Sequence, residues 1–200
     1  MYRFLFYVIG LLILSFGVVL TIKADLGAGA WDALNVGLAK TVGFTVGTWV
    51  MIVGIVLIIL NAVLLKKFPE IFALLTIVLI GTFVDFWLEL VFKHWAPSGL
   101  FFRFGILIFG LIVISIGVAL YLQTQFPLNP IDQFMMVLHQ KLNVSIQAAK
   151  TLAELLALIL AFFFNGPIGI GTVIITFLIG PLIQFFYPKC QTIFRRLQYR

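Results

Sequence analysis

Long apolar runs, separated by short polar stretches, make up most of this chain. Three runs are nearly uncharged, and each has about the 20 residues that a helix needs to cross the hydrocarbon core of a bilayer. They cover residues 4–22, 46–65 and 168–187. Three further runs of similar length contain polar side chains, and they cover residues 71–92, 104–122 and 146–164. Because lipid offers no partner for a free backbone N–H or C=O, all six are predicted to be transmembrane helices.

Two shorter helices are predicted after the first and fourth spans, within residues 27–40 and 127–140. In the second stretch, Asn129 suits the N-cap, Pro130 suits the first helical position, and Asp132 then falls in the first turn. About a dozen residues are too few to cross a membrane. Each short helix is therefore expected to be either re-entrant or interfacial, and the sequence leaves both alternatives open.

The sequence repeats itself with an offset of one hundred residues. The matching pairs are Arg3 and Arg103, Gly10 and Gly110, Ser15 and Ser115, Gly17 and Gly117, and Asp32 and Asp132. A further string, residues 80–86, resembles residues 179–185. Each copy contains three spans, and an odd number of spans turns the second copy over relative to the first. We therefore predict a first repeat over residues 1–93 and an inverted second repeat over 101–190.

Composition and charge support a polytopic membrane protein and predict its orientation. Hydrophobic residues are 63% of the 200 residues and charged residues 10%, which a soluble domain cannot accommodate. Nine of the 13 Lys and Arg residues fall on the side of the termini, and four fall on the other. Basic loops stay cytoplasmic, so both termini are predicted to be cytoplasmic in a bacterial inner membrane, with residues 188–200 as a basic tail. The net charge of +6 is then a topology signal, and no nucleic-acid partner is predicted.

The first span also has features of a cleavable signal peptide. Its apolar run is longer than the usual signal core, and the same residues recur at 104–122, where no signal can lie. The span is therefore predicted to be retained.

Asp32 and Asp132 are the first candidate site residues, and they have two interpretations. A carboxylate in the first turn stabilises the helix dipole, which requires no ligand. Alternatively, the two short helices dip towards each other from opposite faces, and their N-terminal ends line a polar site together with Trp31 and Asn129. Trp31 has its own simpler interpretation, as an anchor at the lipid headgroups.

Two acids inside predicted spans are the other candidates. Asp85 lies deep in the third span, and Glu154 lies midway along the fifth, one turn after Lys150. A carboxylate at membrane depth is costly and often functional. The alternatives are a structural hydrogen bond for Asp85 and a structural ion pair between Glu154 and Lys150. Glu89, near the end of its span, is expected to be solvated.

Enzyme chemistry has little support in this sequence. The one cysteine, Cys190, has no partner for a disulfide and no metal-ligand spacing. His94 and His139 are isolated, and no nucleophile, base and acid appear in a recognisable context. We therefore expect a protein that is not an enzyme, with no cofactor and no metal site.

The string at residues 24–34, ADLGAGAWDAL, directly follows GVVL at residues 17–20. This arrangement resembles the bacterial YczE-type membrane proteins, which are related to the YitT group. Ala30 stands where many relatives have Pro. The resemblance covers essentially the whole chain and implies an inner-membrane protein without catalytic residues. It also links some relatives with the production of non-ribosomally made lipopeptide antibiotics.

Two functions remain compatible with the sequence. The first is a small transporter-like or permease-like protein for an unknown polar solute or ion. The second is a non-transporting accessory or regulatory protein that supports lipopeptide antibiotic production. The lipid bilayer is the predicted partner in both, and the sequence leaves open a homodimer or a second membrane protein.

Overall fold

The computed structural model describes residues 2–198, with side-chain packing through Phe194, and every regular element in that range is helical. The helices are α1 (Tyr2–Lys23), α2 (Ala30–Val42), α3 (Val46–Leu65), α4 (Ala73–Asp85), α5 (Leu100–Leu122), α6 (Pro130–Leu142), α7 (Ile146–Phe163) and α8 (Ile170–Gln198). A π-helical segment, Phe86–Val91, continues α4. Six helices are long and apolar enough to cross a membrane, namely α1, α3, α4 with its π segment, α5, α7 and the Ile170–Phe194 part of α8. The predicted all-α membrane fold with six spans is confirmed.

The antiparallel pair of α1 and α5 forms the centre of the protein. Glycines occupy both sides of the crossing, so the two backbones approach closely. A Cβ atom on Gly17 would lie 2.6 Å from the backbone nitrogen of Ile114, and one on Gly117 would lie 2.5 Å from that of Leu14. Small residues allow this approach in lipid, where packing rather than the hydrophobic effect holds helices together. These glycines therefore serve the close packing of α1 against α5.

The outer helices pack on this central pair in two sets. Helix α4 packs against α1, and α8 packs against α5. The hydroxyls of Tyr7 and Thr76 are 2.6 Å apart and join α1 to α4, and the Thr76 hydroxyl also donates to the Pro127 carbonyl at 3.2 Å. This network fixes the segment that leads into α6.

The two short helices lie between the spans rather than apart from them. Both α2 and α6 pack against α3 and α7. The predicted start of α6 is confirmed, because the Asn129 side chain accepts a hydrogen bond from the Ile131 backbone at 3.2 Å and Pro130 occupies the first turn. The N-cap of α2 is Gly29, which has no side chain to cap the helix.

A glycine-rich connection between α7 and α8 holds the start of α2 by backbone contacts. The Gly171 N–H donates to the Leu26 carbonyl at 2.7 Å, and the Ala28 N–H donates to the Pro167 carbonyl at 3.0 Å. Gly27 has φ of +104°, and a Cβ there would lie 2.5 Å from a backbone nitrogen of the facing segment. Glycine is required here both for its conformation and for close approach.

The end of the chain differs from the simplest expectation of a separate tail. Helix α8 continues through Pro181 and Pro188 to Gln198, so the predicted tail at 188–200 begins as a continuation of the last span. Its final two residues lie outside the described range.

The glycines of α5 provide a matched test of the central crossing. We expect Gly117→Ala to lower the apparent melting temperature of the purified protein by several degrees, since its methyl group meets backbone atoms of α1. Gly105→Ala, in the same helix, has nothing within 4 Å of the new Cβ and gains helix propensity. Differential scanning fluorimetry in detergent measures both, and an equal effect of the two variants would contradict the proposed packing constraint.

Candidate functional site

A central cavity of about 160 Å³ lies where the N-terminal ends of α2 and α6 meet the long helices. Most of its wall is apolar and comes from residues of α1, α3, α4, α5 and α8. Its polar side chains are Trp31, Asp32, Asn35, Asn129, Glu154 and Thr176. Four of the six residues predicted as site candidates therefore meet at one cavity: Trp31, Asp32, Asn129 and Glu154.

Asp32 lies in the first turn of α2 with its carboxylate folded back towards its own N-cap. Its Oδ2 atom would be 3.1 Å from a Cβ on Gly29, so little room is left for a side chain at the N-cap. Among the described residues, none donates a hydrogen bond to this carboxylate. The positive N-terminal end of the α2 dipole is therefore its main local stabilisation. Burial, and then the nearby Glu154 carboxylate, raise the pKa of Asp32 to about 7.

Two further polar groups at this cavity lack a partner within the described residues. They are the indole N–H of Trp31 and the side-chain oxygen of Asn35. Trp31 is 7% exposed and Asn35 is 3% exposed, so water outside the protein does not satisfy them. The interpretation of Trp31 as a headgroup anchor is wrong, because its ring packs in the core, edge-on to Phe134. Buried polar groups are ordinarily paired, so these two leave hydrogen-bonding capacity unused at the cavity.

A groove of about 560 Å³ between α7 and α8 adjoins the central cavity. Gln147 and Lys150 line it from α7, and Gln184 lines it from α8. Glu154 and Thr176 line both the groove and the cavity. The groove therefore lies directly beside the cavity, with Glu154 and Thr176 in the wall between them.

Lys150 and Glu154 do not form the ion pair considered from the sequence. The one ion pair within 4 Å among the described residues joins Arg103 to Asp25. A Cβ on Gly180 would lie 3.7 Å from the Lys150 ammonium, which therefore extends across the groove towards α8.

Asp85 lies away from both spaces and has a structural role. Its carboxylate accepts hydrogen bonds from the Thr45 hydroxyl at 2.6 Å and from the Gly47 backbone at 2.7 Å. These bonds tie α4 to the N-terminal end of α3. A Cβ on Gly47 would lie 2.0 Å from the Gly81 carbonyl, so the two helices touch at this level. Of the two interpretations offered for Asp85, the hydrogen-bonded one matches this geometry.

Asp132 also has a partner of its own, since its carboxylate accepts a hydrogen bond from the Tyr121 hydroxyl at 2.9 Å. Burial raises the pKa of Asp132, while the Tyr121 hydrogen bond and the Lys150 ammonium lower it. Asp132 is not part of the cavity lining, although its neighbour Ile131 is. The two repeat-related aspartates are therefore not equivalent: Asp32 borders the cavity and Asp132 is held beside it.

Sequence reasoning did not select Asn35 and Thr176, two polar residues of the site. Asn35 lies one turn after Asp32 on the same face of α2, and that spacing was a usable signal. Thr176 is one of two threonines in the first half of an apolar span, and such residues commonly bond their own helix backbone. Its place at the junction of cavity and groove follows from the packing of α8, which the sequence does not specify.

Comparison with known proteins identifies relatives over nearly the whole chain. The model of a family of unknown function, DUF6198, matches residues 1–188. The uncharacterized protein YyaS of Bacillus subtilis is 40% identical over 189 residues, covering 93% of this chain and 92% of the relative. The uncharacterized membrane protein YczE of the same organism is 35% identical over 190 residues, covering 94% and 86%. An uncharacterized Haemophilus influenzae protein is 29% identical over 174 residues, covering 87% and 78%. The predicted resemblance to YczE-type proteins is confirmed, and no solved structure matches significantly.

The raised pKa of Asp32 predicts a stabilising substitution. Its folded-state value of about 7 exceeds the ordinary 3.8, so its burial costs stability progressively as the pH rises from 4 to 7. Asp32→Asn removes this cost. Relative to wild type, the variant should gain roughly 3 kcal/mol between pH 5 and pH 8.5. Because about 1 kcal/mol shifts the melting temperature of such a chain by roughly 2–4 °C, scanning fluorimetry at both pH values resolves the effect.

Asp85→Asn is the control for this measurement. It weakens the two hydrogen bonds that tie α4 to the start of α3, and its position lies outside the cavity. We expect this variant to melt below wild type at pH 8.5. A wild-type-like pH profile for Asp32→Asn would contradict the electrostatic cost assigned to Asp32.

Proposed function

The chain belongs to the family of unknown function DUF6198, and on that premise we propose that it is a small inner-membrane transporter for a polar solute. The observation that carries this proposal is that the two spaces adjoin and share two polar lining residues, Glu154 and Thr176. Within the described residues, the central cavity has two polar groups without a partner, and the α7–α8 groove lies directly beside it. Polar and charged side chains inside a bundle of apolar helices cost folding free energy, and such residues commonly have a function. The proposal involves no enzymatic activity.

We further propose that the six spans are two inverted repeats, as in many secondary transporters. The crossing of α1 and α5 supports this, because Gly10 lies near Gly117 while Gly17 lies near Gly110, as a two-fold axis in the membrane plane requires. Local geometry also recurs. Left-handed residues occur in pairs at Asp25 and Gln125, Phe44 and Asn143, and Lys66 and Asn165.

The caps and packing of the intervening elements recur in the same way. Thr45 caps α3 and Ser145 caps α7, each by accepting a hydrogen bond from the backbone three residues on. The short helices α2 and α6 each pack on a long helix of both halves. This arrangement favours the re-entrant over the interfacial interpretation, because both N-terminal ends then face one interior cavity.

The two halves differ in how their second and third spans pack against each other. Helices α3 and α4 pack tightly, whereas within the described residues α7 and α8 make little contact. Gly47 and Gly54 on α3 correspond by the hundred-residue offset to Gln147 and Glu154 on α7. Larger polar side chains thus replace glycines on the equivalent face, and a groove replaces a packed interface. With both termini cytoplasmic, the groove opens towards the cytoplasm and the Asp85 contact closes the opposite side.

The accessory function predicts that the interior acids are individually paired and that the bundle is sealed. Asp85 and Asp132 fit that description. The unpartnered Asp32 and the open groove beside Glu154 fit transport better. We therefore prefer the transport proposal.

Transport is tested with the purified protein in proteoliposomes. Solid-supported-membrane electrophysiology or tracer uptake would screen amines, amino acids, carboxylates and sugars with and without a pH gradient. We expect at least one class to move faster than in empty liposomes. Glu154→Gln should slow that flux about tenfold or more, since it weakens a charged contact at the junction of the two spaces. If no solute moves under any gradient, the transport proposal fails.

Two variants serve to interpret a loss of flux. Glu89→Gln changes an exposed acid of another span and should leave the flux unchanged. Gly180→Leu fills the groove, and its Cβ meets only the mobile end of Lys150, so folding should survive. Slow flux in a folded Gly180→Leu protein would support the groove as the route, and unchanged flux would contradict it.

The proposed orientation needs introduced cysteines, because the native Cys190 is buried and reports poorly on sidedness. In a Cys190→Ser background, Lys67→Cys and Lys93→Cys place exposed thiols on opposite sides. We expect a membrane-impermeant maleimide to label Lys93→Cys in intact cells and Lys67→Cys only after permeabilisation. The reverse pattern would refute cytoplasmic termini.

A further inference from the structure

We propose that the central cavity binds a small primary ammonium ion with an aliphatic body, placed with its nitrogen near Asp32, Asn35 and Glu154. This inference rests on the proposed function in treating the cavity as a substrate site, and it names the substrate class. Charge, hydrogen-bonding capacity and wall chemistry support it independently.

The charge of the lining favours a cation. Asp32 and Glu154 both border the cavity, and no Lys or Arg is among its lining residues. Lys150 lies on the groove side of Glu154 and extends towards Gly180. Two like charges in a weakly polar interior repel each other strongly, and a positive ligand removes that repulsion.

The available hydrogen-bonding groups fit a primary ammonium. Such a nitrogen donates three hydrogen bonds, as the Lys ammonium does. The cavity offers carboxylate acceptors on Asp32 and Glu154 and a carbonyl acceptor on Asn35, whose oxygen is buried and lacks a partner within the described residues. The indole N–H of Trp31 also borders the cavity, but it is a donor and takes no part in holding the ammonium.

The walls and the volume define the rest of the ligand. Aliphatic side chains from five long helices form most of the lining, including Val18, Ile77, Ile114 and Ile175. A cavity of about 150 Å³ is large enough to hold benzene, so the present volume suits an amine of about six non-hydrogen atoms. An ion as small as Na⁺ would leave these apolar walls without contacts.

Three molecules of nearly the same shape test the inference at pH 8: isopentylamine, isopentyl alcohol and isovalerate, which carry positive, zero and negative charge. Isothermal titration calorimetry of the full-length protein in nanodiscs measures binding without any gradient. We expect isopentylamine to bind at least tenfold more tightly than the other two. Asp32→Asn and Glu154→Gln should each weaken amine binding about tenfold, while Glu89→Gln should leave it unchanged.

Each other result has a definite meaning. Equal binding of the amine and the alcohol would reduce the site to an apolar cavity and overturn the inference. Preferential binding of isovalerate would indicate an anion site at the helix N-termini and would also overturn the inference. If none of the three binds to a protein that melts normally, the inference is overturned as well. Amine binding without uptake in proteoliposomes would refute the transport proposal alone. Transport of another solute without amine binding would refute only the substrate class.

Discussion

The close crossing of α1 and α5 is the constraint on which the rest of the structure depends. Lipid provides no hydrophobic drive for helices to associate, so contact area and close approach must hold them together. Glycines at matching positions let these two backbones approach closely, and α4 and α8 then pack on the outer sides of the pair. Since the pair is antiparallel, the short helices that follow α1 and α5 enter the bundle from opposite ends. Their meeting at one cavity follows from that arrangement.

The same helix scaffold gives different results in the two halves because one face of α7 differs from that of α3. Gly47 contacts α4 through backbone and through the Asp85 carboxylate, so no space is left between those helices. On α7, Gln147 and Glu154 have side chains too large and too polar for such contact, and a groove separates α7 from α8. In the proposed inverted repeat, a few substitutions thus convert a packed interface into a polar groove. The proposed transporter would use this asymmetry to open on one side at a time.

The sequence predicted the elements well because each signal is local. Apolar run lengths predicted the six spans, and Asn129 with Pro130 predicted the start of α6. The interior was less predictable, because an acid within a span is equally compatible with a cap, a pair or a site. Only the folded arrangement distinguishes Asp85, which reaches the start of α3, from Glu154, which borders two spaces. The burial of Trp31 likewise depends on neighbours that are distant in sequence, such as Phe134.

The acids of the described interior differ in whether the protein itself satisfies them, and this difference separates structure from site. Asp85 and Asp132 each accept hydrogen bonds from the protein at normal distances. Asp32 and Glu154 accept none among the described residues, although they lie close enough to repel each other. A fold that needed these two only for stability would do better with neutral side chains, as replacement of buried charges often shows. Lys150, one turn before Glu154, offsets part of this charge, and the ammonium ion proposed for the cavity offsets it further.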